Sequence, residues 1–294
     1  MDFVVGMKNE NIMAVLEPTK LAFMKILEDW RSEIESHPQQ TFKFGNTDRH
    51  KLDVFYPDPA AVSSTGPVPV LFFIYGGGFI TSDRKQKPPL DLGYTNLGVF
   101  FAKRGYVPHP VLPIVSDLIP PTPLPSINTA SSVIPDYPLY PTVSYPTPVE
   151  DYLLPALLPL DSPVRAATRG LIPQGSPYVF DFTTPGVLPP GIVEGYYGSQ
   201  EAALATMPLA LLKDAPEALI AGLPELFVLK SETEPVLIDQ GNDVFVKVLE
   251  GRLGKKVRYE VMQRHNHISP HWALLTGDGE EWAEDVAAWI KAAV

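Results

Sequence analysis

Val68-Pro-Val-Leu-Phe-Phe-Ile-Tyr-Gly-Gly-Gly-Phe79 is the stretch on which the reading of this chain turns. The apolar run from Val68 to Ile74 is bounded by proline and glycine, which predicts a strand buried on both faces of a largely parallel sheet. Three glycines follow it directly. Glycine lets the backbone turn sharply and leaves its N–H groups open to a negative oxygen, with no Cβ in the way. A tight turn at a strand exit is the plain alternative. The buried strand before the loop and Ser82-Asp-Arg84 after it favour a built anion-binding loop over that alternative.

The rest of the chain sets the bounds. Its 294 residues can bury a large core as one α/β domain or as two smaller ones. Hydrophobic residues make up 45% and charged residues 19%, an ordinary globular balance. A net charge of −11 argues against an extended nucleic-acid footprint. With no cysteine there are neither disulfides nor thiolate metal sites, which suits a reducing compartment. The N-terminus lacks a basic segment followed by an apolar run, so no secretory signal is expected there. No uncharged apolar stretch is long enough to span a membrane. These features predict a soluble cytoplasmic protein whose partner is a small molecule, with no nucleic acid and no membrane span; they leave the oligomeric state open.

Residues 10–34 carry apolar positions at helical spacing, interrupted by Pro18, and predict two short helices. The alternating segments at Phe42-Lys-Phe and Leu52-Asp-Val-Phe-Tyr predict two strands joined by a turn at Asn46-Thr-Asp. A helix is expected over 92–103, ending at Gly105. The pattern then breaks. Of 33 prolines, 15 fall between Val107 and Pro163. Proline removes a donor and blocks helix interiors and central strands. Residues 107–132 have no sustained period and read as an irregular insert foreign to a compact domain. Order resumes at Val133-Ile-Pro-Asp-Tyr137; a short helix is expected over 149–160 and a weak strand over 169–174. Farther on, helices are predicted at 201–212, 216–221 and 236–253, strands at 224–230 and 256–262, and a terminal helix at 280–294. Strands alternating with helices imply an α/β fold with a mainly parallel sheet flanked by helices.

Two further segments carry candidate chemistry. Ser231-Glu-Thr-Glu-Pro235 follows a predicted strand and offers Glu234, although a solvated acidic loop reads the same way locally. Arg264-His-Asn-His-Ile-Ser269 follows the last strand and offers His267, with His265 beside it. Histidines 265, 267 and 271 also allow a metal site, a weak alternative in an irregular loop without nearby carboxylates.

Taken together, the Gly76-Gly77-Gly78 loop, the Asp136-Tyr137 turn and the order strand, acid, helix, strand, histidine resemble an α/β-hydrolase of the hormone-sensitive-lipase and kynurenine-formamidase type. The resemblance covers residues 41–294, with residues 1–40 as a helical cap segment and 107–132 as the Pro-rich interruption. It implies an α/β-hydrolase fold and hydrolysis of a carboxylic ester or an aryl formamide by serine-type acyl transfer. It also implies an oxyanion hole from Gly76, Gly77 and Gly78, with Glu234 orienting His267 as general base and no cofactor or metal. Tyr75 stands where such a loop usually has histidine, at little cost, because the donors are main-chain groups.

The departure is the nucleophile. No serine of this chain has glycine two residues before and two residues after it, so the Gly-x-Ser-x-Gly elbow is missing. Tyr152-Leu-Leu-Pro follows Asp151 where the resemblance implies a helix, a central strand with the elbow and the helix behind it. Ser176 is a weak substitute, since Pro177 and Tyr178 beside it do not allow a tight elbow; Ser144 and Ser162 fit less well. The fold is therefore expected to be incomplete around the nucleophile strand, and a catalytically inactive relative or a binding protein is the alternative function. A retained non-coding stretch at 107–132 with a lost coding segment at 151/152 accounts for both anomalies. Sequencing the transcript across codons 100–180 is expected to restore the elbow and drop the insert. Recovery from the natural protein of the tryptic peptide running from Gly105 to Arg165 as written here would overturn that account.

Overall fold

The computed structural model describes residues 1–7, 11–58, 70–105, 132–146, 163–183 and 189–293. The chain opens with helices α1 (Asp2–Gly6), α2 (Ile12–Leu27) and α3 (Arg31–Ser36), a 3₁₀ turn at Glu28–Trp30 separating the last two. Strands β1 (Gln39–Lys43), β2 (Lys51–Phe55) and β3 (Leu71–Phe72) follow, then α4 (Thr95–Lys103) and β4 (Ser132–Pro135). Next come α5 (Pro163–Ala167), β5 (Gly170–Leu171), and helices α6 (Pro190–Tyr197), α7 (Gln200–Thr206), α8 (Pro208–Asp214) and α9 (Glu217–Ala221). The chain closes with β6 (Glu225–Thr233), α10 (Val236–Leu253), β7 (Arg258–Asn266), α11 (Ser269–Ala273) and α12 (Glu281–Ala293). None of the described helices is long and apolar enough to cross a membrane. The chain divides into two compact units, Met1–Thr19 with Leu139–Pro270, and Lys20–Pro138 with His271–Val294.

The second of these units holds a four-stranded sheet in the order β1-β2-β4-β3. The expected hairpin is present, with Gln39 opposite Phe55 and Lys43 opposite Lys51 in antiparallel register. Strand β4 runs antiparallel to β2, and β3 runs parallel to β4 with Leu71 opposite Ser132. Phe42, Leu52, Val54 and Val133 form the core beneath it. Helix α4 is buried from Thr95 to Ala102 and stops in the turn before Gly105, whose φ of 64° is a left-handed conformation that favours glycine. It lies so close to the sheet that a Cβ on Gly98 would come within 2.4 Å of the Phe55 ring.

The other unit holds a three-stranded parallel sheet in the order β5-β6-β7. Its central strand β6 is buried through Phe227, Val228 and Leu229. Leu212, Ile220 and Leu249 form a core where α8, α9 and α10 meet. Helix α10 matches its expected span, opened by Pro235 and closed by Gly254 at φ 66° with its N–H on the Glu250 carbonyl. A proline before the first turn and a left-handed glycine after the last are strong stop signals, which is why its ends were readable.

Some expectations fail for physical reasons. Helix α2 continues through Pro18 instead of breaking there. Pro18 and Ala14, whose carbonyl loses its partner, are both exposed, so water can replace the missing bond. The break comes ten residues later, at Glu28–Trp30. The helix expected over 201–212 is split because Met207 precedes Pro208 and takes an extended ψ of 146°. Helix α6 was not anticipated. The expected buried strand at 68–74 is described only from residue 70, and its ladder covers just Leu71–Phe72, with Phe72 exposed. Among the described residues β3 pairs with β4 alone and β5 with β6 alone, so each stands at an edge of its described sheet. Of the irregular insert expected at 107–132, Ser132 instead opens β4, and the rest lies outside the described residues, as does the helix expected at 149–160.

Replacing Gly98 by alanine tests the close approach of α4 to β2. Alanine favours a helix by about 1 kcal/mol over glycine, whereas overpacking against a buried ring costs about 1–3 kcal/mol. Phe55 is 1% exposed and has little room to yield, so the clash should win. Gly98→Ala is expected to lower the urea midpoint with an unchanged slope, and a raised midpoint would show that the helix can lift off the sheet.

Candidate active site

In the parallel-sheet unit, β6 delivers Glu234 to the turn before α10. The two acids of this turn separate cleanly: Glu232 is exposed and Glu234 is buried, its side chain 1% accessible. Glu234 Oε1 accepts the Ser231 N–H at 2.9 Å, and Oε2 lies 2.6 Å from His267 Nδ1. An ionised carboxylate only accepts, so Nδ1 carries the proton and donates it to Glu234. Among the described residues Nε2 of this ring, still 23% exposed, has no hydrogen-bond partner and is the basic nitrogen.

Strand β7 reaches this position through a bulge. The register moves from Ser231 opposite Met262 to Thr233 opposite Asn266, which gives β7 the extra residues. Arg264 takes them up at φ 65°, a left-handed conformation, with its N–H on Glu232 Oε2 at 2.6 Å. Bulges of this kind re-aim the side chains that follow them. His265 and Asn266 therefore belong to the strand and not to an irregular loop, and His267 is the first residue beyond it.

Gly175 is the member that the sequence reading missed. It follows the Gln174–Leu229 bridge, donates its N–H to the Leu229 carbonyl at 2.9 Å and has φ 51°. A Cβ there would lie 3.0 Å from Glu234 Oε1 and 3.2 Å from His267 Nδ1. The signal was a lone glycine directly after a weak strand, but nothing local says which atoms it lies against. Ser176 is next in the chain. Its carbonyl accepts from Asn242 Nδ2 at 3.2 Å and from the Tyr178 N–H at 3.1 Å. Among the described residues its hydroxyl makes no hydrogen bond to His267. Ser144 is exposed, and Ser162 lies outside the described residues.

The other unit carries the glycine loop. Gly77 and Gly78 have φ of 142° and 61°, and a Cβ on Gly77 would meet the Thr81 carbonyl oxygen at 2.2 Å. Among the described residues the N–H groups of Gly76, Gly77 and Gly78 meet no backbone acceptor. The loop is anchored through Tyr75, whose hydroxyl donates to Asp136 Oδ1 at 2.6 Å and accepts from Arg49 Nη2 at 2.8 Å. Burial first, and the Asp136 carboxylate second, push the Tyr75 phenol far above its ordinary range, so it remains a neutral donor. Asp136 also receives the Arg84 N–H at 2.7 Å and a close ion pair from Arg84 Nη1. Arg49 reaches on to the carbonyls of Ser82 and Tyr137, at 2.9 Å and 2.7 Å.

The histidines weighed as metal ligands have other partners. His265 Nδ1 meets Ser269 Oγ at 2.9 Å, His267 Nδ1 is held by Glu234, and the His271 ring stacks on Tyr94 at 5.0 Å. Among the described residues no group of three or more histidine, aspartate or glutamate side chains is placed to hold a metal ion.

No family model matches the chain, and no curated protein matches it in sequence. Solved structures do. The esterase Est22 matches with a TM-score of 0.59 at 14% identity, over 99% of this chain and 90% of its own. An esterase from Pyrobaculum calidifontis matches at 0.57 and 14% identity, over 99% and 96%. Carboxyl esterase 2 from the mycorrhizal fungus Tuber melanosporum matches at 0.51 and 14% identity, over 91% and 98%. The fold is the α/β-hydrolase fold. At this identity the likeness speaks to architecture, and within an α/β-hydrolase architecture the parallel β5-β6-β7 sheet is what holds Glu234 and His267 together.

Tyr75→Phe isolates the anchor of the glycine loop. It removes one donor to Asp136 and the acceptor of Arg49 while keeping the ring, and an unmet buried polar group costs about 1–3 kcal/mol. The variant is expected to unfold at lower urea by that amount. An unchanged midpoint would show that Arg84 and Arg49 satisfy the carboxylate without it.

Proposed function

We propose that the protein is a carboxylic-ester hydrolase, or an aryl-formamide hydrolase, working by acyl transfer on a small-molecule substrate. The observation that carries this reading is the 2.6 Å bond between His267 Nδ1 and Glu234 Oε2, inside a fold shared with solved esterases. With Nδ1–H fixed on the carboxylate, His267 Nε2 takes the proton of the attacking hydroxyl as its oxygen bonds to the carbonyl carbon. The carbonyl oxygen becomes an oxyanion, which the amides of Gly76, Gly77 and Gly78 receive. Collapse breaks the bond to the leaving alcohol or amine, which takes the proton back from His267, and water releases the acyl group by the same route. None of these steps calls for a metal or an organic cofactor.

A second reading is favoured by one specific observation: the chain has no Gly-x-Ser-x-Gly, and Ser176 does not bond to His267 among the described residues. On that reading the protein is a catalytically silent relative, or a binding protein that keeps the base and acid without a nucleophile. Turnover of p-nitrophenyl acetate separates the two. The first reading predicts a burst of p-nitrophenol, labelling of a serine by a fluorophosphonate, and a fall in kcat/KM of about 10²–10⁴ in His267→Ala. Neither burst nor label, with His267→Ala equal to the parent protein, establishes the second.

A further inference from the structure

We propose that Asn266 is a positioning residue for His267 and that, through Thr19, it ties the orientation of that ring to helix α2; this rests on His267 being the general base. His267 is the first residue beyond β7, where a side chain has no ladder bonds to hold its backbone. Its neighbours supply them. Asn266 is 1% exposed, and its Oδ1 accepts the N–H groups of both Ile268 and Ser269 at 3.0 Å. Ser269 Oγ returns the contact, accepting the Asn266 N–H at 3.1 Å and donating to the Asn266 carbonyl at 3.2 Å. The residues on either side of His267 are thus locked into one closed turn, with His267 at its tip.

The remaining arm of Asn266 points elsewhere. Its Nδ2 donates to Thr19 Oγ1 at 3.0 Å, and Thr19 is fully buried on α2. The Thr19 hydroxyl has its own proton directed at Met7 Sδ, 3.8 Å away, so it accepts from Asn266. The amide orientation is forced, because a flipped Asn266 would turn its NH₂ toward two N–H donors. Little slack remains at the ring. Glu234 Oε2 lies 2.6 Å from Nδ1, and Gly175 packs so close that a Cβ on it would lie 3.2 Å from Nδ1 and 3.3 Å from Cε1 of the same ring. A shift of the turn therefore either lengthens the Glu234 bond or drives the ring into Gly175. An amide with both acceptor sites and one donor engaged is well suited to prevent it.

The test reads the ring directly. In full-length protein labelled with ¹⁵N-histidine, the Nδ1-bound proton of His267 is assigned by its loss in His267→Ala. Asn266→Ala is expected to abolish that resonance through solvent exchange while unfolding stays cooperative. Asn266→Asp keeps the acceptor for Ile268 and Ser269 but cannot donate to Thr19, so it is expected to restore the resonance with the faster exchange of Thr19→Val, a rescue that loss of packing alone would not show. Thr19→Val leaves residue 266 intact and covers the case in which Asn266→Ala does not fold. Its expected effect is on the order of tenfold faster exchange of the His267 proton, the factor that loss of one buried hydrogen bond produces. Exchange unchanged from the parent in Thr19→Val, or in a folded Asn266→Ala, overturns the proposal. If Asn266→Ala loses the signal but His267→Ala leaves ester turnover unchanged, the positioning role stands and the general-base reading falls. If Glu234→Gln leaves the parent signal in place, the acid–histidine pair is absent and both fall.

Discussion

Asp136 is a carboxylate only 3% exposed, and a charge taken that far from water persists only when it is paired and fully hydrogen-bonded. Its partners come from three separate stretches: Arg49 after β1, Tyr75 at the mouth of the glycine loop, and Arg84 beyond it. Arg84 is shared with Asp53 on β2, so a single guanidinium joins the sheet to the loop. The need to satisfy one buried charge thereby fixes the path of the chain from residue 75 to residue 84. It also explains how tyrosine can stand at the head of a glycine loop. What the position has to do is reach Asp136, and a phenol held neutral by burial does so with its hydroxyl while its ring stacks on Tyr137 at 4.8 Å.

The acid–histidine pair follows the same logic with a different outcome. Glu234 is just as buried, but its charge is met by one backbone N–H and one imidazole, with no guanidinium among its hydrogen bonds. The imidazole is thus the carboxylate's principal partner, which gives it a strong orientation and, among the described residues, leaves its far nitrogen without a hydrogen bond. Building this geometry requires a residue in the left-handed region at Arg264, a conformation costing on the order of 1–2 kcal/mol for a side chain with a Cβ. Such strain persists where the surroundings over-determine it, and here the bond from the Arg264 N–H to Glu232 does part of that.

Features set by neighbours in the chain were legible; features set by neighbours in space were not. The span of α10 could be read because Pro235 and Gly254 punctuate it, and the hairpin of β1 and β2 because alternation and a turn are local signals. The chain order of Glu234 and His267 could be read because strands and helices alternate around them. The persistence of α2 through Pro18 could not, since it depends on which side of the helix meets solvent. Nor could the bulge at Arg264 or the contact of Gly175 with the pair, because both arise from how adjacent strands register. The exposure of Phe72 was misjudged for a related reason: a run of apolar residues predicts burial only if both faces of the strand are covered.

Among the described residues β3 and β5 each pair on one side only, and that arrangement carries a consequence of its own. An unpaired edge is a template on which another chain can add a strand, and natural proteins blunt such edges by charge, by proline or by keeping them short. Here the blunting is by length, since the ladder of each edge strand covers two residues, Leu71–Phe72 and Gly170–Leu171. So short a rung offers an incoming strand too few hydrogen bonds to offset the entropy of ordering it. Within the described sheet, a longer β3 would bury more of its own apolar run and would also offer a more adhesive rim, so a two-residue ladder trades cohesion within the chain for restraint between chains.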